Sequence, residues 1–298
     1  MATIAVGRQR PVAERASRGI WRDAARRLMR NGPALVGMFF IAVFLFMAIL
    51  APLLTTFDPV RGVLANQFEA PLTNGHWFGT DLEGRDEFAR IVFGARLSLV
   101  VGVGSVIMGL FLGGTIGAAA GALGGRVDSV LMRIVDVLLA IPGILLAIGI
   151  VAWLGRGLPQ IMLAVAATNA PVFARILRGS LLANREVDYV IAARSTGASR
   201  WRLLVRHLLP NSVTAVIVAA TLALATAIID VAGLGFLGFG PPDPRTAEWG
   251  TMLTDTTQYF REAPFLIFFP GLAIVITAIG FNLLGDGLRE SLDPRLKR

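Results

Sequence analysis

The sequence is short of the residues that most catalytic sites use: its 298 residues include no cysteine, one lysine and two histidines. Without cysteine there is no disulfide, iron–sulfur cluster or thiol catalysis. A nucleotide-binding loop of the Walker A type needs a lysine directly after its glycines. The single lysine, Lys297, is next to last in the sequence, so the chain does not bind ATP in that way.

Histidine is too sparse for the common metal and hydrolase sites. His76 and His207 fall on opposite sides of the predicted membrane, and neither belongs to an HExxH motif; a zinc site needs clustered Cys and His ligands. The serines that follow glycines, Ser105 and Ser180, have no histidine within reach to activate them. The sequence therefore predicts no catalytic residue, no metal ligand and no cofactor bound by this chain.

Charge is also scarce, and apolar residues take its place. Charged residues make up 16% of the chain, hydrophobic residues 55%, and the mean hydropathy is +0.67. Several apolar runs reach the roughly 20 residues that cross about 30 Å of hydrocarbon. These features predict an all-α integral membrane protein with six transmembrane helices, with five or seven as the alternatives. The predicted spans are residues 34–55, 97–123, 131–154, 159–173, 213–234 and 264–284.

The Lys and Arg residues predict the orientation. With the N-terminus inside, three quarters of the 28 Lys and Arg residues fall in the two tails and the two loops on the cytoplasmic side. Because cytoplasmic segments carry the positive excess, both termini are predicted to be cytoplasmic. The net charge of +8 and the pI near 11.3 then reflect topology and contact with anionic membrane lipid, not nucleic-acid binding.

These boundaries divide the chain into four parts. Residues 1–33 form a cytoplasmic N-terminal tail, in which an amphipathic stretch suits a helix on the membrane surface. Residues 34–96 hold the first span and an external loop. Residues 97–284 form the transmembrane core, which includes a cytoplasmic loop at 175–211, and 285–298 form a cytoplasmic C-terminal tail. A second external loop, 235–263, is rich in Gly and Pro and suits a gate or a re-entrant segment.

A ladder of glycines runs along the predicted second span, with a glycine at every fourth residue from Gly109 to Gly125. Residues four apart share one helix face, and a bare face permits close helix contact in a membrane. One interpretation is packing within this chain. The other is contact with a second pore subunit, through Gly109, Gly113, Gly117 and Gly121.

Two acidic residues, Asp136 and Asp230, lie at or inside predicted spans. Intramembrane carboxylates are functional candidates, so either could take part in proton coupling. A structural ion pair or a position at the membrane interface is the alternative, and Arg133 near Asp136 favours it. In the same span Pro142 and Gly143 predict a kink, because proline removes a backbone hydrogen bond.

The third cytoplasmic segment is the polar exception in an apolar chain. Its stretch DYVIAARSTGASRWRLLVRHLLPN (188–211) predicts two short helices. Asp188 would cap the first helix, Gly197 would break it, and Pro210 would end the second. Two angled helices could insert into the cleft of a cytoplasmic partner, where the small Ala192 would allow close approach. A basic helix resting on lipid is the alternative.

This stretch resembles the EAA loop of ABC importer permeases, the element that docks onto the ATPase. Ile191 stands where the family commonly has Glu, which removes one expected polar contact, while Asp188 falls at a site that is often acidic in peptide permeases. The resemblance covers the family's spacing of EAA, glycine and LP. The residues that it assigns to ATPase coupling are Asp188, Ile191, Ala192, Ala193, Arg194, Gly197, Ala198, Trp201, Leu209 and Pro210.

Three further stretches narrow the resemblance to the C-type permease of dipeptide, oligopeptide and nickel importers. FGTDLEGRDEFARIVFGARLSL (78–99) is similar to the family's GTD-x-x-GRD block after the first span. GGRVDSVLMRIVDVLLAIP (124–142) is similar to the start of its third span, and FNLLGDGLRESLDPRLKR (281–298) to its C-terminus. The four stretches occur in the family's order and cover most of the chain from about residue 33.

The resemblance implies a type I ABC importer permease fold with cytoplasmic coupling helices, in a bacterial plasma (inner) membrane. The chain would pair with a homologous B-type permease, and an extracytoplasmic substrate-binding protein would deliver the cargo. Two ATPase subunits, or one fused ATPase, would bind ATP and Mg and hydrolyse ATP, so this chain itself is not an enzyme. Closure of the ATPases would move the coupling loops and turn the pore outward by alternating access.

Di- or oligopeptides are the expected cargo, because no cluster of His, Cys or Met marks a route for a metal. A nickel or metal-chelate importer of the same family is the first alternative. A membrane scaffold, whose loop anchors a cytoplasmic partner without transport, is the second. A proton-coupled carrier is the third, and it would require Asp136 or Asp230 to titrate in the pore.

Overall fold

The computed structural model describes residues 20–292, and every regular element in this range is helical. Two isolated β-bridges lie in the loop between the first two long helices. The predicted tail segments 1–19 and 293–298 lie outside the described residues. The helices are α1 (Ile20–Leu28), α2 (Gly32–Leu54), α3 (Glu87–Leu123), α4 (Gly125–Ala140), α5 (Gly143–Leu154), α6 (Leu158–Arg185), α7 (Asp188–Ser195), α8 (Arg200–Leu203), α9 (Leu209–Leu234), α10 (Trp249–Thr256) and α11 (Phe265–Leu292).

Five helical segments are long and apolar enough to cross a membrane: α2, α3, α6, α11 and the continuous helix Arg200–Phe239 that contains α8 and α9. The pair α4 and α5 meets the same criterion as one span that is bent by 95°. Ile141 and Pro142 adopt extended backbone at this bend, because proline cannot donate to the helical ladder. The kink predicted at Pro142 and the all-helical membrane class are confirmed.

The direction of α3 relative to α6 shows how the bent pair runs. The glycine face of α3 meets α6 in a constant register, and the paired residues are Gly109 with Ala166, Gly113 with Ala170, and Gly117 with Ala174. Both numbers of each pair rise together, so the two helices are parallel. Successive spans alternate in direction, so parallel spans are separated by an odd number of crossings. The pair α4 and α5 therefore crosses once, and residues 20–292 contain the six spans that were predicted.

The first and last spans are antiparallel and lie in close contact. A methyl group at Gly37 of α2 would lie 2.6 Å from the carbonyl oxygen of Gly280 on α11, so only glycine permits this approach. At the end of the same contact, Asn31 Nδ2 donates a 2.7 Å hydrogen bond to Glu290 Oε2. The short helix α1 packs on α11 through the buried Ala24. Residues 20 and 292, at which the described part of the chain begins and ends, thus lie at the same end of the helix bundle.

Most of the long helices extend beyond the predicted spans, and two of the extensions, at α3 and α6, change where polar residues lie. The second span begins at Glu87, ten residues before the predicted start, because Asp86 caps it by accepting the Ala89 N–H at 2.6 Å. The fourth span continues to Arg185, twelve residues beyond the predicted end. Arg175 and Arg178 therefore lie on a membrane-spanning helix instead of in a loop, and both pair with aspartates of α4. Hydropathy underestimates both helices because their polar residues are capped or paired.

The loop 235–263 is packed against the bundle through α10. Trp249 is fully buried, and its indole Nε1 donates a 3.0 Å hydrogen bond to the carbonyl of Ile91 on α3. Its ring also meets Phe44 of α2 edge to face, with centroids 5.4 Å apart. Aromatic pairs of this geometry stabilise beyond the area they bury. This segment is therefore anchored to three spans in the described structure, instead of hanging over them as an open gate.

Candidate coupling site between α6 and α9

The short helix α7 ends in a Schellman motif at Gly197. Gly197 has a left-handed φ of +84°, a conformation that glycine adopts at little cost. The amide of Gly197 donates to the carbonyl of Arg194 at 3.0 Å, and the amide of Ala198 donates to the carbonyl of Ala193 at 3.1 Å. These two bonds satisfy carbonyls that the helix end leaves without partners. The break predicted at Gly197 is confirmed.

One residue of α7 anchors this helix to the bundle. Val190 is fully buried in an apolar cluster whose other buried members are Leu177, Leu181, Leu203, Leu204 and Leu208. These leucines come from the last turns of α6 and from the start of the Arg200–Phe239 helix. Because α7 is clamped between the two long helices, a displacement of α7 is transmitted to both of them.

The predicted coupling residues divide into an exposed group and a packed group. Trp201 is 73% exposed and Ile191 is 47% exposed, in a stretch whose other exposed residues are mostly polar or charged. The other exposed members are Asp188, Ala192, Arg194, Gly197 and Pro210, and the half-buried members are Ala193, Ala198 and Leu209. The half-buried residues pack against the apolar cluster, so they support the exposed surface.

Two details of the predicted loop were wrong. Val187, not Asp188, is the N-cap of α7, and Asp188 is the first helical residue and makes no cap hydrogen bond. Pro210 does not end a helix: it lies in the first turn of α9, where its missing N–H costs little. The segment before it, Leu204–Leu208, is a π-helical turn, which absorbs the proline and lets the helix continue to Phe239.

Ion pairs link the bent span to α6. Arg178 forms a bidentate pair with Asp128 in which Nη2 and Oδ2 are 2.6 Å apart. Arg175 pairs with Asp136. The structural ion pair that was one alternative for Asp136 is therefore present, but its partner is Arg175 and not Arg133, because α6 extends further than predicted. Asp230 lies half-buried on α9, and its role stays a prediction.

The four glycines assigned to a permease–permease contact are used within the chain. Gly109, Gly113, Gly117 and Gly121 are all buried, and α6 covers them. A methyl group at Gly113 would lie 2.1 Å from the carbonyl oxygen of Ala170, and one at Gly121 would lie 2.8 Å from Leu181 Cδ1. Their assignment to a second subunit was wrong, because the backbone of α6 already fills this face. The within-chain interpretation is the one that the contacts support.

At the opposite end of the bundle, the GTD-x-x-GRD block folds into a buried polar cluster. Asp81 accepts hydrogen bonds from the backbone amide of Arg85 at 2.9 Å and from its guanidinium at 2.6 Å. Arg85 in turn donates to the carbonyl of Pro244 in the loop 235–263 at 3.1 Å. His76 Nδ1 lies 2.8 Å from Asp86 Oδ2. The cluster links the loop between α2 and α3 to the loop 235–263. The GTD-x-x-GRD stretch, which resembles the family's block, therefore forms a structural joint between these two loops.

Glu248 is a further buried polar residue at this joint, and no sequence motif pointed to it. Its carboxylate caps α10 by accepting the amides of Gly250 at 3.0 Å and Thr251 at 2.9 Å, and Ser98 Oγ donates to it at 3.2 Å. Burial raises the pKa of Glu248, while these hydrogen bonds oppose the rise. Within residues 20–292, no group of three or more His, Cys, Asp or Glu side chains is placed to hold a metal ion.

Similarity to known proteins extends over nearly the whole chain. Residues 113–298 match the family described as binding-protein-dependent transport system inner membrane component. Residues 19–71 match the N-terminal transmembrane domain of oligopeptide transport permease C.

The relatives that are more than 40% identical to this chain include two permeases of named transport systems. The dipeptide transport system permease protein DppC of Alkalihalophilus pseudofirmus is 45% identical over 93% of this chain and 90% of its own length. The glutathione transport system permease protein GsiD of Pectobacterium atrosepticum is 41% identical over 100% of this chain and 97% of its own length.

Among solved structures, the methionine ABC transporter MetNI in an inward-facing conformation contains a chain with the same fold. The TM-score is 0.56 at 21% sequence identity, and the match covers 69% of this chain and 97% of that one. At this identity the similarity concerns the fold alone.

Proposed function

Because this chain belongs to the family of binding-protein-dependent transport system inner membrane components, and within it to the C-type permeases of peptide ABC importers, we propose that it forms half of the pore of an ATP-driven importer for di- or oligopeptides. A homologous B-type permease supplies the other half. Peptides are the proposed cargo because DppC and GsiD, which align over nine tenths or more of this chain, are named for a dipeptide and for glutathione, itself a peptide.

The surface of α7 is the observation that carries the coupling part of this proposal. The exposed Ile191 lies on α7, which Val190 anchors between α6 and the helix Arg200–Phe239, and the exposed Trp201 lies close by in α8 at the start of that helix. Such a projecting helix suits insertion into a cleft of a separate ATPase subunit. Closure of two ATPase subunits, which hold ATP and Mg, would push α7 and tilt the two spans that it joins.

The orientation follows from where the charges lie. The α7 loop lies at the same end of the bundle as the described chain ends, since an even number of spans separates them. The positive excess at this end supports its assignment to the cytoplasm. The joint around Asp81 and Arg85 then faces outward, where an extracytoplasmic binding protein delivers the peptide. The membrane is the plasma (inner) membrane of a bacterium.

The direct test is ATP hydrolysis by the reconstituted complex of both permeases and the ATPase subunits. The binding protein would be added empty, loaded with peptide, or loaded with nickel. Stimulation by the peptide-loaded protein alone is the expected result. Stimulation by nickel alone would overturn the peptide assignment and leave the importer assignment intact. If no cargo-loaded protein stimulated hydrolysis, the importer assignment itself would fail and the scaffold interpretation would replace it.

The coupling surface has its own variant. Trp201→Ala removes the most exposed large side chain of the α7–α8 surface, and it is expected to lower cargo-stimulated hydrolysis at least about tenfold, as central aromatic residues of interfaces do. Trp153→Ala is the matched control, because Trp153 is 85% exposed but lies at the end of α5. Equal losses in the two variants would argue against docking through α7.

A further inference from the structure

The pair of Arg175 and Asp136 lies inside the membrane-spanning part of the bundle. Arg175 follows Leu158, the outer end of α6, by seventeen residues. At 1.5 Å per residue this places it about 26 Å below that end, within a hydrocarbon layer about 30 Å thick. Asp136, its partner, comes five residues before the bend at Ile141. A charged pair is thus built into the inner half of the bilayer.

This pair is exposed, and lipid is an unsuitable neighbour for it. The side chains of Arg175 and Asp136 are 53% and 52% exposed. Ionised groups in a span face a bundle interior or a water-filled cavity, because hydrocarbon solvates them poorly. The second pair, Arg178 with Asp128, is better covered at 30% and 18% exposure. The two pairs lie on the same two helices, and only one of them is presented to the outside of this chain.

A second observation points to water on the same face. The six residues from 140 to 145, which contain the bend between α4 and α5, are all exposed, and Ile141 and Pro142 have extended backbone. Non-helical backbone is tolerated at membrane depth only where protein buries it or where it lines a water-filled cavity. No described segment of this chain buries it. On α4, Asp136 and Ala140 are four residues apart and share one helix face, so the charged pair and the exposed bend are neighbours, and neither suits contact with lipid.

We propose that Arg175 and Asp136 line the aqueous path through the pore and bind the two charged ends of a passing peptide. The inference rests on the proposed function and names the residues within the pore that bind the peptide. A free peptide is a zwitterion with one carboxylate and one ammonium group. The guanidinium of Arg175 would hold the carboxylate, a geometry that favours bidentate hydrogen bonds, and Asp136 would accept from the ammonium group. The peptide replaces the internal ion pair by two external ones, so neither charge is left without a partner in the pore.

The first experiment exchanges the two charges. A purely structural ion pair tolerates the double variant Arg175→Asp with Asp136→Arg, because the attraction is restored. A site that reads cargo has its charges in the wrong places after the exchange, although the pair still forms. The matched control is Arg178→Asp with Asp128→Arg, which exchanges the covered pair on the same two helices.

The measurement is uptake of short alanine peptides into proteoliposomes that contain the complete complex, divided by the ATP hydrolysed in the same sample. The expected result is a loss of about tenfold or more for the exposed pair, as expected for lost charge-assisted hydrogen bonds, and less than about twofold for the covered pair. Wild-type uptake from the exchanged Arg175 and Asp136 variant would overturn the proposal. Absence of peptide-stimulated hydrolysis in the wild-type complex would instead count against the proposed function.

A labelling experiment keeps the proposal testable if both exchanged variants fold poorly. The chain has no native cysteine, so one introduced thiol is a unique probe. Val172, one turn before Arg175 on the same exposed stripe of α6, is changed to cysteine. Phe111 of α3, which is 70% exposed and by the α3–α6 register lies about one helical turn nearer the outer side, is changed as the control.

A charged, membrane-impermeant thiol reagent should modify Val172→Cys and spare Phe111→Cys in the assembled complex, and alanine peptides under turnover should slow the modification. No reaction at Val172→Cys would show that the partner permease covers the face, and this outcome would overturn the proposal. Equal reaction at both positions would do the same, since it would place lipid-facing and path-facing residues in one environment.

Discussion

The guanidinium of Arg185 donates a 2.7 Å hydrogen bond to the backbone carbonyl of Ala122. Arg185 is the last residue of α6, three positions before the first residue of α7, and Ala122 lies in the last turn of α3. The bond satisfies a carbonyl that a helix end leaves without a partner. It also places a positive charge at the negative end of the α3 dipole. The bond thus joins the end of α6, next to α7, to the end of α3.

Arg185→Ala is predicted to destabilise the protein by roughly 1.5 kcal/mol, because the carbonyl of Ala122 loses a charged donor. Thermal unfolding of the detergent-solubilised complex measures this as a lower Tm. Arg185→Lys should recover part of the loss, since an ammonium group can also donate to a carbonyl. A lysine variant as unstable as the alanine variant would show that the stabilisation does not come from this hydrogen bond.

Variants at Gly197 test whether the Schellman motif is needed for coupling to the ATPase. Gly197→Ala is expected to cost about 1–2 kcal/mol because φ is +84° and an L-residue is strained there. No atom lies within 4 Å of the added methyl group, so crowding contributes nothing. Gly197→Asn should lose less, because Asn tolerates the left-handed region. The measurement is the rate of cargo-stimulated ATP hydrolysis. It should be highest with Gly197, lower with Gly197→Asn and lowest with Gly197→Ala.

Gly271→Ala is the control for this series. Gly271 lies inside α11, and no atom is within 4 Å of an added methyl group there either. In a regular helix, alanine is favoured over glycine by about 1 kcal/mol. A Gly271→Ala variant that lost coupling as strongly as Gly197→Ala would contradict an explanation based on backbone conformation.

Gly113 and Gly114 are adjacent residues on different faces of α3 and form a matched pair. A methyl group at Gly113 would lie 2.1 Å from the carbonyl oxygen of Ala170, whereas nothing lies within 4 Å of one at Gly114. Gly113→Ala is therefore predicted to separate α3 from α6, at a cost of about 1–3 kcal/mol, and to lower Tm and expression. Gly114→Ala should lower neither, because alanine is favoured over glycine in an uncrowded helix. Equal behaviour of the two variants would show that the α3–α6 contact is looser than described.

The stability difference between wild type and Glu248→Ala is expected to depend on pH. Glu248→Ala leaves the amides of Gly250 and Thr251 without their acceptor, which should cost about 1–3 kcal/mol. Burial raises the pKa of Glu248 in the folded state above the value of about 4.3 for an unfolded chain. The folded state therefore binds the proton more tightly, and this stabilisation is complete below the unfolded pKa and is lost as the pH rises through the folded pKa.

The difference in Tm between wild type and Glu248→Ala should therefore be larger at about pH 5 than at about pH 8. Glu262→Ala is the control, because Glu262 is exposed at the end of the same loop, and its effect on Tm should be small. A difference that widened with rising pH would contradict the sign, and would mean that the hydrogen bonds to the carboxylate outweigh its burial.

Much of the fold follows from local sequence signals. The six spans follow from apolar length, the bend from Pro142, and the end of α7 from Gly197, since each depends on residues close in sequence. The limits of the spans did not follow, because α6 continues to Arg185 only when Arg175 and Arg178 find aspartates about forty to fifty residues earlier. A hydropathy score counts each of these arginines as unfavourable in a span, and it contains no information about the aspartate that pairs with it.

The predicted site shows the same division. Spacing identified the coupling stretch, but not which of its alanines faces outward: Ala192 is exposed, while Ala193 packs on the apolar cluster. The glycine ladder was recognised as a packing face, yet the sequence could not show whether its partner was α6 or another chain. Glu248 gave no signal at all, because its burial depends on Ser98, 150 residues away.

The constant register of α3 on α6 also has a consequence for biosynthesis. The glycine face of α3 is completed only by residues about 57 positions later, and a ribosome that adds about 5–20 residues per second makes these in about 3–11 s. For that time α3 has left the ribosome while its packing partner is still being made. The nascent chain therefore depends on whatever shields that bare face in the membrane, and slower translation of residues 122–178 would prolong this vulnerable interval.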